Sequence, residues 1–220
     1  MKKILALILL VSCIFTLCAC GLFKKDDTTN PSTGGSNNQS SGDKAPVVDT
    51  AAVATVQAKI DASKPVSALI TVTLEATLGD LNSEYNVTYN QDGSATVDYA
   101  YEKFNSFDDD ADEYKSTYTG TVTVSADGTV NGDLDGTASV EALTFDIKLD
   151  ASKLDSAELV AGVLTATVKA ANTASVLGVN VGADATVVIS TNANGVVFIA
   201  ISYTSAAGPV EIIADYTYSA

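Results

Sequence analysis

Apolar and polar positions divide the chain into four stretches. Residues 4–19 are apolar except for Ser12 and Thr16, with Met1, Lys2 and Lys3 ahead of them. Residues 21–45 read GLFKKDDTTNPSTGGSNNQSSGDKA and carry almost nothing apolar after Phe23. Apolar residues return in residues 46–63 with a helical period: Ala52, Val56 and Ile60, with Val53 beside them. This spacing predicts an amphipathic helix of about 13 residues, capped by Asp49 and ended before Pro65.

From Val66 the period becomes two. Val66, Ala68, Ile70, Val72, Leu74, Ala76 and Leu78 alternate with polar residues, Leu69 excepted. That is the pattern of a half-buried strand. Tyr85, Val87 and Tyr89 continue it, and Gln91-Asp92-Gly93-Ser94 predicts a hairpin into Val97, Tyr99 and Tyr101. Tyr114, Tyr118, Val122 and Val124 predict the next strand, which turns at Ala126-Asp127-Gly128 towards Val130 and Leu134. Alternation resumes at Leu143, Phe145, Ile147 and Leu149. Residues 159–170 read as one strand, and residues 172–177 as a short helix stopped by Gly178. Two hairpins close the chain, one turning at residues 192–195 and one at residues 207–209. Nine or ten strands with short links imply antiparallel neighbours.

The first stretch suits the apolar part of a secretory signal better than a membrane span, which needs roughly 20 residues. It ends in Leu17-Cys18-Ala19-Cys20-Gly21. This resembles the lipobox of bacterial lipoproteins: an aliphatic residue, two small residues, then the cysteine to be modified. The resemblance implies that residues 1–19 are removed and that Cys20 takes a diacylglycerol through its thiolate. Cys18 departs from the Ala, Ser or Thr more usual at its place. The alternative is an uncleaved membrane anchor; either way the rest of the chain lies outside the cytoplasm. Residues 20–45 then form the lipidated cysteine and a flexible Ser/Asn/Gly-rich tether, with a reach of about 25–30 Å. Residues 46–220 form a single β-rich extracytoplasmic domain. The expected localisation is the cell membrane, lipid-anchored on the extracytoplasmic face, and the membrane is the partner through that anchor.

Composition narrows the chemistry. The three cysteines are Cys13, Cys18 and Cys20, so a mature chain keeps no free thiol for a disulfide, a metal or catalysis. Without Lys2 and Lys3, ten lysines face 27 acids, formally −17. Such a charge argues against nucleic acid as a partner. The chain holds no His, no Trp and, since all twelve basic residues are lysines, no Arg. The commonest general base, the commonest metal ligand and the bidentate anion clamp are therefore missing. No Ser-His-Asp or Cys-His arrangement can exist. Carboxylate-only or Ser-Lys catalysis is left open in principle, but no nucleophile–base pair has recognisable spacing, and we expect no enzyme and no cofactor.

A sheet with one apolar face must cover it. Ten strands span roughly 48 Å, and one helix is about 10 Å wide. The helix at residues 49–62 cannot cover such a face if the sheet is flat. The sheet can curl around the helices as a half-barrel, fold into a β-sandwich or closed barrel, or leave an apolar hollow. The order of elements, and in particular residues 159–168 followed by residues 172–178, resembles the LolA/LppX-type lipoprotein fold. That resemblance implies one large, curved antiparallel sheet on an N-terminal helix and one short later helix, and a ligand that is a lipid or another apolar molecule. The same apolar residues also suit plain packing on one another, in a surface interaction or structural protein without a small-molecule ligand.

Two acidic clusters suggest calcium only in outline. Asp108, Asp109, Asp110, Asp112 and Glu113 put five carboxylates in six residues, and hard cations want several oxygens. A solvated loop needs the same residues. Asn131-Gly132-Asp133-Leu134-Asp135-Gly136 resembles the start of an EF-hand loop, but Ala142 stands where its bidentate Glu belongs. It reads as turn residues. The nine tyrosines are expected at the sheet surface.

Overall fold

The computed structural model describes residues 47–105, 114–127, 129–132 and 147–219. Helix α1 spans Thr50–Ala62. Asp49 caps it, its Oδ1 accepting from the Ala52 N–H at 3.0 Å. The helix buries Ala52, Val53 and Val56. Pro65 disfavours helical backbone at Lys64, and Ser63 has already turned extended, its N–H closing on the Ile60 carbonyl.

Ten strands follow: β1 Ser67–Ala76, β2 Gly79–Tyr89, β3 Ala95–Phe104, β4 Lys115–Val124, β5 Val130–Asn131, β6 Leu154–Val160, β7 Val163–Val168, β8 Ala185–Asn192, β9 Gly195–Thr204 and β10 Pro209–Thr217. Helix α2, Thr173–Leu177, lies between β7 and β8 and ends at Gly178 in left-handed backbone. All ten strands form one antiparallel sheet in the order β5-β4-β3-β2-β1-β10-β9-β8-β7-β6. It is not closed: β5 and β6 are its two edges. The first five strands make one meander and the last five another. The two join where the last strand, β10, pairs with the first, β1.

Sequence expectations fail in four places. Residues 159–170 are not one strand but part of a hairpin, β6 to β7, turning at Ala161 (φ 51°) and Gly162 (φ 84°). Two positive φ values give the two-residue turn that matches strand twist. Ala is an unusual first residue for it, so the alternation ran on through the turn in the sequence. Second, Ile147 and Leu149 are buried but belong to no strand. The Lys148 N–H donates to the Val176 carbonyl at 2.8 Å, and the Leu149 N–H to Gln57 Oε1 at 2.6 Å. The alternation there marks an extended segment held on α1 and α2. Third, Val66 and Leu78 fall outside β1 and are exposed. Fourth, the tyrosines are not a surface set: Tyr85, Tyr99 and Tyr101 are core residues. Leu134, Leu143 and Phe145 lie outside the described residues.

Candidate functional site

Pairing register shows which side chains share a face. One row reads Gly120, Tyr99, Tyr85, Ile70, Ala214, Ile199, Ile189 and Leu164 from β4 to β7. The next reads Tyr118, Tyr101, Ser83, Val72, Ile212, Ile201, Val187 and Ala166. Together with their neighbours these rows make an inner face that is mostly apolar or aromatic. Among its described positions in β1–β4 and β6–β10 the one charged residue is Lys103, exposed at the end of β3.

The two halves of this face are filled differently. Helix α1 packs chiefly on β6, β7, β8 and β9. There the filling is complete: Leu164, Ala166, Val168, Val176, Leu177 and Ile189 are fully buried. On β2–β4 aromatic rings do the filling. Tyr101 stacks on Tyr118 with ring centroids 5.2 Å apart. Tyr99 lies over Gly120, so close that an added Cβ would collide with its hydroxyl. Burial holds the Tyr85 phenol above its ordinary pKa, opposed by a hydrogen bond with Ser83.

Burial also falls along the strands. On β1, Ala68 and Ile70 are buried while Val72, Leu74 and Ala76 are half-buried. On β2, Val87 and Tyr85 are buried while Ser83, Leu81 and Gly79 are half-buried. The inner face therefore meets solvent at the β1–β2 turn, where Leu78 is 59% exposed. The opposite end is pinned. Lys59 Nζ donates to Thr191 Oγ1 at 3.0 Å, Ser63 Oγ accepts from the Val196 N–H at 2.9 Å, and Tyr218 Oη donates to the Val196 carbonyl at 2.6 Å. Gly195, at φ 132°, leaves room for Ser63 and the Tyr218 hydroxyl. The β6 edge is closed as well: Val48 bridges it in parallel, the Asp49 N–H donating to the Ala157 carbonyl at 2.9 Å.

At the half-open end the sheet forks. The β2–β3 register stops at Ser83 opposite Tyr101, although β2 pairs with β1 as far as Gly79 and β3 pairs with β4 as far as Phe104. Across the fork the Asn82 N–H donates to Glu102 Oε2 at 2.8 Å. Lys115 Nζ lies 2.8 Å from Glu102 Oε1 and donates to the Asp80 carbonyl at 3.4 Å. The Lys115 ammonium, with the Asn82 N–H after it, holds the Glu102 carboxyl below its usual range. Tyr114, 62% exposed, rests near Gly79 and stacks on Phe104. No sequence motif announced this fork. Its one signal is Lys103, a charge in phase with Tyr99 and Tyr101, where inward burial ends.

The lipobox residues Leu17, Cys18 and Ala19, the lipidation candidate Cys20, and the acidic loop Asp108, Asp109, Asp110, Asp112 and Glu113 lie outside the described residues. Asn131 lies on β5 opposite Thr123, its amide donating to Ser125 Oγ at 3.0 Å. Among the described residues no cluster of three or more acidic, His or Cys side chains suits a metal ion. Nor is any described helix long and apolar enough to cross a membrane.

No family model and no curated protein matches the chain. Among solved structures, LprF from Mycobacterium bovis is similar over 78% of this chain and 93% of its own, at 13% identity and a TM-score of 0.38. An erythromycin dehydratase is similar over 79% and 82%, at 18% identity and a TM-score of 0.21. A DUF1329 family protein from Desulfovibrio piger is similar over 78% and 92%, at 9% identity and a TM-score of 0.24. At such scores the likenesses carry no functional argument, and the site is read from its own residues.

Proposed function

We propose that this chain is an extracytoplasmic lipoprotein, anchored through Cys20, whose β-domain is a non-catalytic binding module for a lipid or another apolar ligand. The observation that supports it most is the half-open end of the inner face. Val72, Leu74 and Leu81 lie half-buried on the same face as Tyr101 and Tyr118, in a surface whose only charge among the described residues is Lys103. Apolar surface left partly in water gains about 25 cal/mol for each Å² a ligand covers. A face so poor in charge favours a ligand whose head is uncharged, because a buried ionic head would find no partner. The sheet would curl about that ligand as a half-barrel.

The test uses the chain from residue 20 onward with Cys20→Ser, which contains every described residue. It should bind N-phenyl-1-naphthylamine, a neutral apolar probe, with energy transfer from tyrosine; the chain has no Trp to obscure that signal. Leu74→Lys and Leu81→Lys should weaken binding by about tenfold or more, since each places a charge where the probe would lie. Failure of the parent to bind, or full binding by both variants, contradicts the reading. A surface interaction or structural protein without a small ligand is the alternative, favoured by the completely filled packing under α1.

A further inference from the structure

We propose that the apolar ligand reaches the inner face sideways, through the fork between β2 and β3, and that Glu102 is the latch on that path. The proposal rests on the apolar-ligand reading and adds its route.

The fork interrupts the backbone ladder inside the sheet rather than at its edge. In the β2–β3 register, Asn82 and Glu102 come next after Ser83 and Tyr101. Continued pairing would give the outward Asn82 N–H a backbone carbonyl on β3. It meets the Glu102 carboxylate instead. A side chain has replaced the ladder, so the two strands are held together here by one residue that can change rotamer. Lys115 ties the same carboxylate to β4 and to the Asp80 carbonyl of β2. Three strands thus meet on one outward-facing carboxylate.

Behind this latch lie the half-buried Leu81 and Ser83 of β2 and, across the gap, Tyr101 of β3. At the end of the same face, where the fork opens, lie the exposed Leu78 and Tyr114, the latter beside Gly79. Apolar side chains therefore run from the exposed mouth of the fork to its polar closure. Gly79, at φ 123° with Tyr114 beside it, keeps the mouth of the fork narrow, because a side chain there would be strained. Releasing Glu102 separates strand ends without breaking any β2–β3 backbone pair, so little else has to move.

The experiment locks the fork covalently. Mature chains carry no thiol apart from Cys20, so an Asn82→Cys/Glu102→Cys pair on the Cys20→Ser background is the only one present. It is closed by oxidation, or by a short bis-maleimide where the sulfurs stand too far apart. The locked chain should take up N-phenyl-1-naphthylamine about tenfold more slowly than the same chain with free thiols. A Thr88→Cys/Thr96→Cys bridge joins the same two strands where they already pair, and it should leave the rate unchanged. Glu102→Gln keeps an acceptor for Asn82 but loses the ion pair, and uptake should quicken several-fold. Equal rates in locked and unlocked chains, together with an unchanged rate for Glu102→Gln, overturn the lateral route and leave the apolar reading standing. Absence of uptake in every form, parent included, overturns both.

Discussion

Single residues settle how the aromatic half of the face packs. Tyr99 can lie flat on β4 only because position 120 has no Cβ. Gly120→Ala forces the ring or the strand to shift, and overpacking of this kind costs about 1–3 kcal/mol. Thermal unfolding should show a lower Tm for that variant, while Gly182→Ala, where an added Cβ meets nothing within 4 Å, should pay only for its φ of 71°. Glu102 gives a pH signature. Its carboxyl titrates below the ordinary value because Lys115 and Asn82 hold the charged form. Its contribution is therefore complete above the unfolded carboxylate range, about pH 4.3, and is lost as pH falls through the lower folded value. Hydrogen exchange at residues 79–82 should quicken in that acid window before the rest of β2 responds, and Glu102→Gln should remove the pH dependence.

At the scale of elements, alternation located most strands, the helical period located the first helix and Gly178 marked the end of the second. Alternation failed where burial and pairing part company. Ile147 and Leu149 alternate because an extended segment lies on two helices, not because a ladder exists. Ala161 hid a turn because it adopts a backbone usually left to Gly or Asn. Ala161→Asn should relieve that strain and raise stability by about 0.5–1 kcal/mol in denaturant unfolding. The N-cap is the clearest success. Asp49 was legible from its place before the helical period, and Asp49→Ala should cost about 1 kcal/mol. The latch of Ser63 and Tyr218 on β9 was not legible, because it joins residues 133 and 22 positions apart. Tyr218→Phe should lose about 1 kcal/mol and loosen the β8–β9 hairpin.

For the whole molecule, the sequence showed an apolar face wider than one helix, and the structure shows where the helix goes. α1 fills the β6–β9 half, tyrosines fill the other, and the β1–β2 end stays half-buried. The chain has few cationic groups, no His and no thiol beyond its first 20 residues, and the role proposed for it is binding. The fork left one trace in the sequence, the charge of Lys103 in phase with Tyr99 and Tyr101, since nothing else in a strand's period says where its neighbour departs. The proposed export and acylation belong to this scale as well. A Cys20→Ser precursor should fail to take up a fatty acid analogue and should leave the membrane fraction.

Native mass spectrometry of the Cys20→Ser chain from residue 20 onward, exported and purified without detergent, tests the central claim most directly. A co-purifying mass of an uncharged, lipid-like molecule, diminished in Leu74→Lys and Leu81→Lys, is the expected result. A ligand-free chain that also accepts no apolar probe afterwards would contradict the account.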